Sequence, residues 1–326
     1  MHHASPRLRL RWYLLGLLTL VGGSEVVARL SRDTFEAAAH RARFKAELLA
    51  RQPPLRFVAI GTSRLNDAVA PAIVSGQLEG SSARGFNASV PSSSMATQAF
   101  LAAGALEHPG LEALFLEASP AQAASFDDPS LGPEVAPSGS FEDRLLSASA
   151  LLRYRRVLMV ESLPRLVALA WPSRYDGSEF FRSHWLAESL RGWWRTPPLV
   201  LPPPVVICPK ADGALAVDPR LEAAVEAWTA EAKAARAKGI EPYFVAPPIR
   251  AVARGEECQA EWSKLLASLA SRSGAPVLSW ACAEAPDAMF PDGNHHLGTM
   301  GRDAFSAALG AAWRRLAEGP ACEAAR

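Results

Sequence analysis

The stretch FVAIGTSRLNDAVAP, residues 57–71, decides how the rest of the chain is read. Phe57, Val58, Ala59 and Ile60 form an unbroken apolar run that meets a glycine, two hydroxyl residues and then a polar segment compatible with a helix. A short apolar run halted by glycine is the profile of a buried strand ending in a tight turn. Ser63 stands at that turn. A serine ahead of a helix is an ordinary N-cap. At the carboxyl end of a parallel strand it is also where a nucleophile is presented, with the helix start favouring developing negative charge.

Outward from this point the pattern repeats. ARGFNASVPSSSMATQAFLAAGAL, residues 83–106, reads as a short element ending at Asn87, a loop of small residues through Ser94, and an alanine-rich helix from Met95. LEALFLEASP, residues 111–120, is an apolar run stopped by Pro120. Beyond residue 220 the alternation returns. Residues 221–239 place Leu221, Val225, Trp228 and Ala232 on one helical face and close at Gly239; strands at 240–249 and 275–281 bracket a helix at 261–274; residues 303–319 form a last helix. Strands alternating with helices predict a mainly parallel sheet covered on both faces, a three-layer α/β/α sandwich spanning residues 55–318. Residues 121–204 break the alternation with loop and helix signals and a group of tryptophans, Trp171, Trp185, Trp193 and Trp194, and are read as a helical insertion. Residues 31–54 read as a charged amphipathic helix closed by Pro53 and Pro54, and 319–326 as a C-terminal tail.

Residues 1–30 carry Arg7, Arg9 and Arg11 ahead of the apolar run WYLLGLLTLVGG at 12–23, with Glu25 after it. The strongly apolar part is shorter than the ~20 residues of a typical span, so a cleaved signal peptide, a signal anchor and a buried helix are all open on length. The stretch after the run offers a poor cleavage site, which favours an uncleaved anchor from about Trp12 to Leu30, basic end in the cytoplasm and the remainder outside. A net charge of +1 over 326 residues excludes a general nucleic-acid binder, which needs a concentrated basic face. Cys208, Cys258, Cys282 and Cys322 contain no CxxC pair, so the thiols are read as paired or buried rather than as a zinc site, in any of three pairings if two disulfides form.

In an open parallel sheet, reactive groups gather beyond the carboxyl ends of the strands. Three such ends hold suitable residues: Ser63, the loop from Asn87 to Ser94, and FPDGNHHLGTMG at 290–301. Acyl transfer needs a nucleophile, a base, a group that holds the base, and donors for an oxyanion. Ser63 supplies the first, and Asp292 with His295, three residues on, the next two. The bland reading of the Asp and His residues is a polar turn ahead of the last helix. A metal site on the adjacent His295 and His296 lacks further ligands.

GTSR after the first strand, FNASVPSSS after the second and DGNHHLGTMGRDAF before the last helix together resemble the SGNH (GDSL-type) hydrolase superfamily, whose sheet is flavodoxin-like. The anchored layout is similar to membrane-tethered members that move acetyl or other acyl groups on cell-surface polymers. The resemblance implies a Ser63 nucleophile that also gives its backbone N–H to the oxyanion, with Ser89 at the position of the family's second-block glycine. The family's third-block asparagine has no clear counterpart, Ser119 being the nearest polar residue and Asn87 an alternative donor. The family's histidine pattern falls on His296, Leu297 and Gly301, whereas spacing from Asp292 favours His295. The implied protein is an extracytoplasmic esterase or O-acyltransferase of a bacterial inner membrane. It acts without cofactor or metal on an acylated or acyl-accepting envelope polysaccharide, in company with a membrane protein that donates acyl groups. The alternative is a domain of the same fold that has lost its chemistry and serves as a glycan-binding or scaffold subunit.

Overall fold

Strands and helices are laid down where the apolar runs and helical periods put them. The structure, a computed structural model, describes residues 6–30, 41–78, 84–91, 93–119, 171–172, 200–209, 219–250, 260–283, 285–290, 296–319 and 322. In chain order these residues form α1 (Pro6–Leu30), α2 (Arg41–Ala50), β1 (Phe57–Ile60), α3 (Ser63–Ala68), α4 (Pro71–Gly76), β2 (Gly85–Asn87), α5 (Met95–Ala105) and β3 (Ala113–Glu117). Then come β4 (Val205–Ile207), α6 (Pro219–Ala237), β5 (Glu241–Ala246), α7 (Ala260–Ser273), β6 (Val277–Ser279), a 3-10 turn (Asp287–Met289) and α8 (Thr299–Ala317). The chain divides into two compact units, one of residues 1–47 and 132–171, the other of residues 48–131 and 172–326. The expected insertion lies outside the described residues except at 171–172 and 200–204, as does the first half of the expected amphipathic helix.

The second unit is an α/β fold around a six-stranded sheet ordered β2-β1-β3-β5-β6-β4. The first five pair in parallel and β4 joins β6 antiparallel, Val206 opposite Leu278. β1 and β3 are buried along their whole length, which is why they appear in the sequence as unbroken apolar runs. Phe57 and Ala59 of β1, Phe115 of β3, Tyr243 and Val245 of β5 and Leu278 of β6 share a core with α8. Trp313 stands edge-on to both Phe57 and Phe115, with ring centroids 5.4 Å apart in each case. On the other side-chain parity, Phe244 of β5 meets Trp228 of α6. β4 was not anticipated: Val205, Val206 and Ile207 favour a strand, but three such residues behind a run of prolines are shorter than the runs that mark one. It is held by pairing with β6 and by the Trp280 indole N–H, which donates to Pro202 O at 3.0 Å. A disulfide joins Cys208 to Cys322, and Cys282 is also disulfide-bonded, so the cysteines serve as cross-links; Cys258 lies outside the described residues.

In the first unit, α1 is a continuous helix of 25 residues, roughly 37 Å at 1.5 Å per residue. Its window Tyr13–Leu30 is long and apolar enough to be a membrane anchor or a signal sequence. Leu14, Leu17, Leu18 and Leu20 are exposed along it. The polar residues within it are accommodated locally: Thr19 Oγ1 donates to Leu15 O at 2.8 Å, and Glu25 pairs with Arg29 one turn on.

Candidate active site

The strand order places β1 between β2 and β3, at the switch point where consecutive connections leave in opposite directions and where such sheets bind their ligands. Ser63 is the first residue after the turn that ends β1. The N-cap of α3 is Thr62 rather than the serine: its Oγ1 accepts the Arg64 N–H at 3.3 Å, and its carbonyl accepts the Asn66 N–H at 2.9 Å. The Ser63 hydroxyl is therefore not used as a cap, and it lies 2.9 Å from His296 Nε2, both side chains being half-buried.

Leu297 and Gly301, on the C-terminal side of His296, fix the histidine in this position. Leu297 is sunk in the core, and the Gly298 N–H donates to Met289 O at 2.9 Å. Gly301 lies so close to the 3-10 turn that an added Cβ would stand 2.9 Å from Met289 O. α8 then runs back along α3 and α4, and Ser306 ties it to the end of α3 by donating to Ala68 O at 3.0 Å and accepting the Ala70 N–H at 2.8 Å. The residue brought to Ser63 is thus His296; His295, favoured by counting from Asp292, lies outside the described residues with Asp292 itself.

The donors expected for an oxyanion are differently employed. The Asn87 side chain is fully buried, and its Nδ2 donates to Val69 O at 2.9 Å, to Asn66 O at 3.1 Å and to Leu65 O at 3.4 Å. It satisfies the orphan carbonyls at the end of α3. Its Oδ1 accepts the Ser89 N–H at 3.1 Å. Asn87 and the Ser89 backbone N–H are thus both hydrogen-bonded to the scaffold in this structure. The Ser89 hydroxyl is buried with no hydrogen-bond partner among the described residues. Ser119 is buried just past β3. Arg64, next to Ser63 and itself buried, donates from Nη2 to Pro247 O at 3.2 Å, beyond the end of β5.

Glu117, the last residue of β3, escaped the sequence reading. It is fully buried, and its Oε2 accepts the Thr62 N–H at 2.6 Å while the Thr62 hydroxyl lies 3.0 Å from each carboxylate oxygen. The side chain passes directly over Gly61, where an added Cβ would meet Glu117 Cβ at 2.6 Å and Leu65 Cβ at 2.8 Å. Glycine at 61 is thus required by this approach. The signal was present in LEALFLEASP: a carboxylate inside an otherwise apolar buried strand must have a partner. Among the described residues no three His, Cys, Asp or Glu side chains gather where a metal ion would be held.

Comparison with protein families, with curated proteins and with solved structures finds no match.

Proposed function

We propose that the chain is a serine esterase or O-acyltransferase of the SGNH kind, anchored by α1 in a bacterial inner membrane with its α/β unit outside the cytoplasm. The fold in this reading is the three-layer sandwich, and the substrate is an acylated or acyl-accepting envelope polysaccharide. The observation that carries the reading is the 2.9 Å contact between Ser63 Oγ and His296 Nε2 at the carboxyl end of β1.

In the mechanism, His296 Nε2 takes the Ser63 proton as Oγ attacks the ester carbonyl, and Asp292 supports the resulting imidazolium. The Ser63 N–H is the donor offered to the oxyanion. Collapse breaks the ester C–O bond and His296 returns the proton to the leaving alcohol, leaving an acyl group on Ser63. Water or a sugar hydroxyl then attacks that acyl-enzyme, His296 taking its proton and passing it to Ser63 Oγ as the acyl–Oγ bond breaks. Water completes hydrolysis and a sugar hydroxyl completes transfer. The acyl donor in the second case is a partner protein of the membrane.

The full-length protein in detergent micelles, given p-nitrophenyl acetate and a fluorophosphonate probe, tests this reading. Ester cleavage and labelling that both vanish in Ser63→Ala support it; a wild type that neither cleaves nor labels sinks it. The second outcome favours a glycan-binding or scaffold subunit of the same fold, a reading that draws on the engagement of Asn87 and the Ser89 N–H with the scaffold.

A further inference from the structure

The Gly61–Thr62 peptide, the unit just ahead of Ser63, is gripped from β3 on one side and from the loop after β2 on the other. On the β3 side its N–H is donated to Glu117 at 2.6 Å, reinforced by the Thr62 hydroxyl at 3.0 Å from the same carboxylate. On the β2 side its carbonyl, Gly61 O, accepts the Val90 N–H at 2.9 Å and the Ser93 hydroxyl at 3.1 Å. A peptide plane held at both its N–H and its C=O has no freedom to rotate, and the next bond outward carries Ser63.

We propose that Glu117 is a positioning residue that aims the Ser63 hydroxyl at His296 by fixing the Gly61–Thr62 peptide. The inference rests on the reading of Ser63 as nucleophile and His296 as base. Two donors of Thr62, one amide and one hydroxyl, converge on Glu117 from the same side, and a carboxylate accepts on both oxygens. Glutamine keeps the shape and one acceptor oxygen, but sets an NH2 group 3.0 Å from the Thr62 hydroxyl where the acid has its second acceptor. Removing the acid would leave the buried Thr62 N–H without its acceptor and so cost stability too, which is why turnover has to be read per competent site. The cost of misaiming falls on the chemical step, since a displacement near 1 Å lowers turnover by about 100-fold while leaving binding largely intact.

The test uses the full-length protein in detergent, with active sites counted by fluorophosphonate titration so that turnover is expressed per competent site. Glu117→Gln is expected to lower kcat per titrated site about 10- to 100-fold, with KM within about twofold of wild type. Thr62→Val, which keeps the carboxylate and its amide contact, is expected to lose turnover in the same sense, and Thr62→Ser, which keeps both donors, to restore most of it. The double variant Glu117→Gln with Thr62→Val is expected to be little worse than Glu117→Gln alone, as for two members of one contact. Unchanged kcat per site in Glu117→Gln overturns the proposal. A loss confined to the number of titratable sites does the same, because it makes the acid a fold support only. If Glu117→Gln does not fold, undiminished turnover in Thr62→Val overturns it. A wild type that never labels at Ser63 overturns the hydrolase reading and this inference together, whereas failure of this inference alone leaves wild-type labelling intact.

Discussion

Ser63 owes its availability to the residue before it. Because Thr62 takes the capping position of α3, Ser63→Ala is expected to leave the melting temperature almost unchanged while abolishing ester cleavage; a large stability loss would show that the hydroxyl has a scaffold role after all. His296→Ala is expected to lower kcat by ~1,000-fold or more, and His295→Ala to have a mild effect, with steady-state kinetics on one aryl acetate comparing the two. The reverse ranking would move the base to His295. The sequence left Ser63 with two readings, a helix cap and a nucleophile, and the cap is taken by Thr62 instead. Nor did the sequence separate the two histidines by spacing. The register is set instead by Leu297, which must reach the core, and by Gly301, which must let the 3-10 turn approach. Glu117 went unassigned for a different reason: its apolar strand implied some partner, but that partner, Thr62, is 55 residues away in the chain.

At the scale of elements, α8 carries the histidine while Ser306 fastens that helix to α3. Ser306→Ala leaves the buried Ala70 N–H unpartnered and is expected to cost about 1–3 kcal/mol, read as a lower urea midpoint at unchanged m-value. α6 contains a different tension. Burial pushes the Glu231 carboxyl from its ordinary 4.5 up to about 8, and neither of its oxygens has a hydrogen-bond partner among the described residues. The folded chain keeps a proton here that the unfolded chain gives up above about pH 4.5. Stability contributed at this position is therefore present below that pH, falls as pH rises toward about 8, and is level beyond, a loss on the order of 3 kcal/mol by pH 7. Glu231→Leu is expected to raise the melting temperature more at pH 8 than at pH 5, and equal gains at both would remove the acid from the pH dependence. The parallel strands and the long helices were legible because each satisfies one period along its own length. β4 was not, because its three residues become a strand only by pairing with β6, as Val206 does with Leu278.

For the whole molecule, the cross-link and the apolar helix make separate claims. The disulfide between Cys208 and Cys322 closes a separation of 114 residues, and in the chain-entropy account Cys208→Ser costs about 3–5 kcal/mol, measurable by denaturant melts of the oxidised protein. A variant as stable as the wild type would show that the bridge constrains little. The anchor reading expects the protein to remain with membranes after a high-salt wash and to leave them only with detergent. Release by salt alone would reduce α1 to a peripheral attachment.

The antiparallel edge strand has a consequence for how the chain is made. β4 leaves the ribosome before β5 and β6, yet its neighbour in the sheet is β6, and its covalent fastening through Cys208 waits for Cys322. Order of synthesis and order of assembly run opposite at this edge. A nascent chain interrupted between residues 210 and 270 would carry the backbone N–H and C=O groups of β4 unpaired, whereas the earlier-made strands β1, β2 and β3 find their partners among themselves.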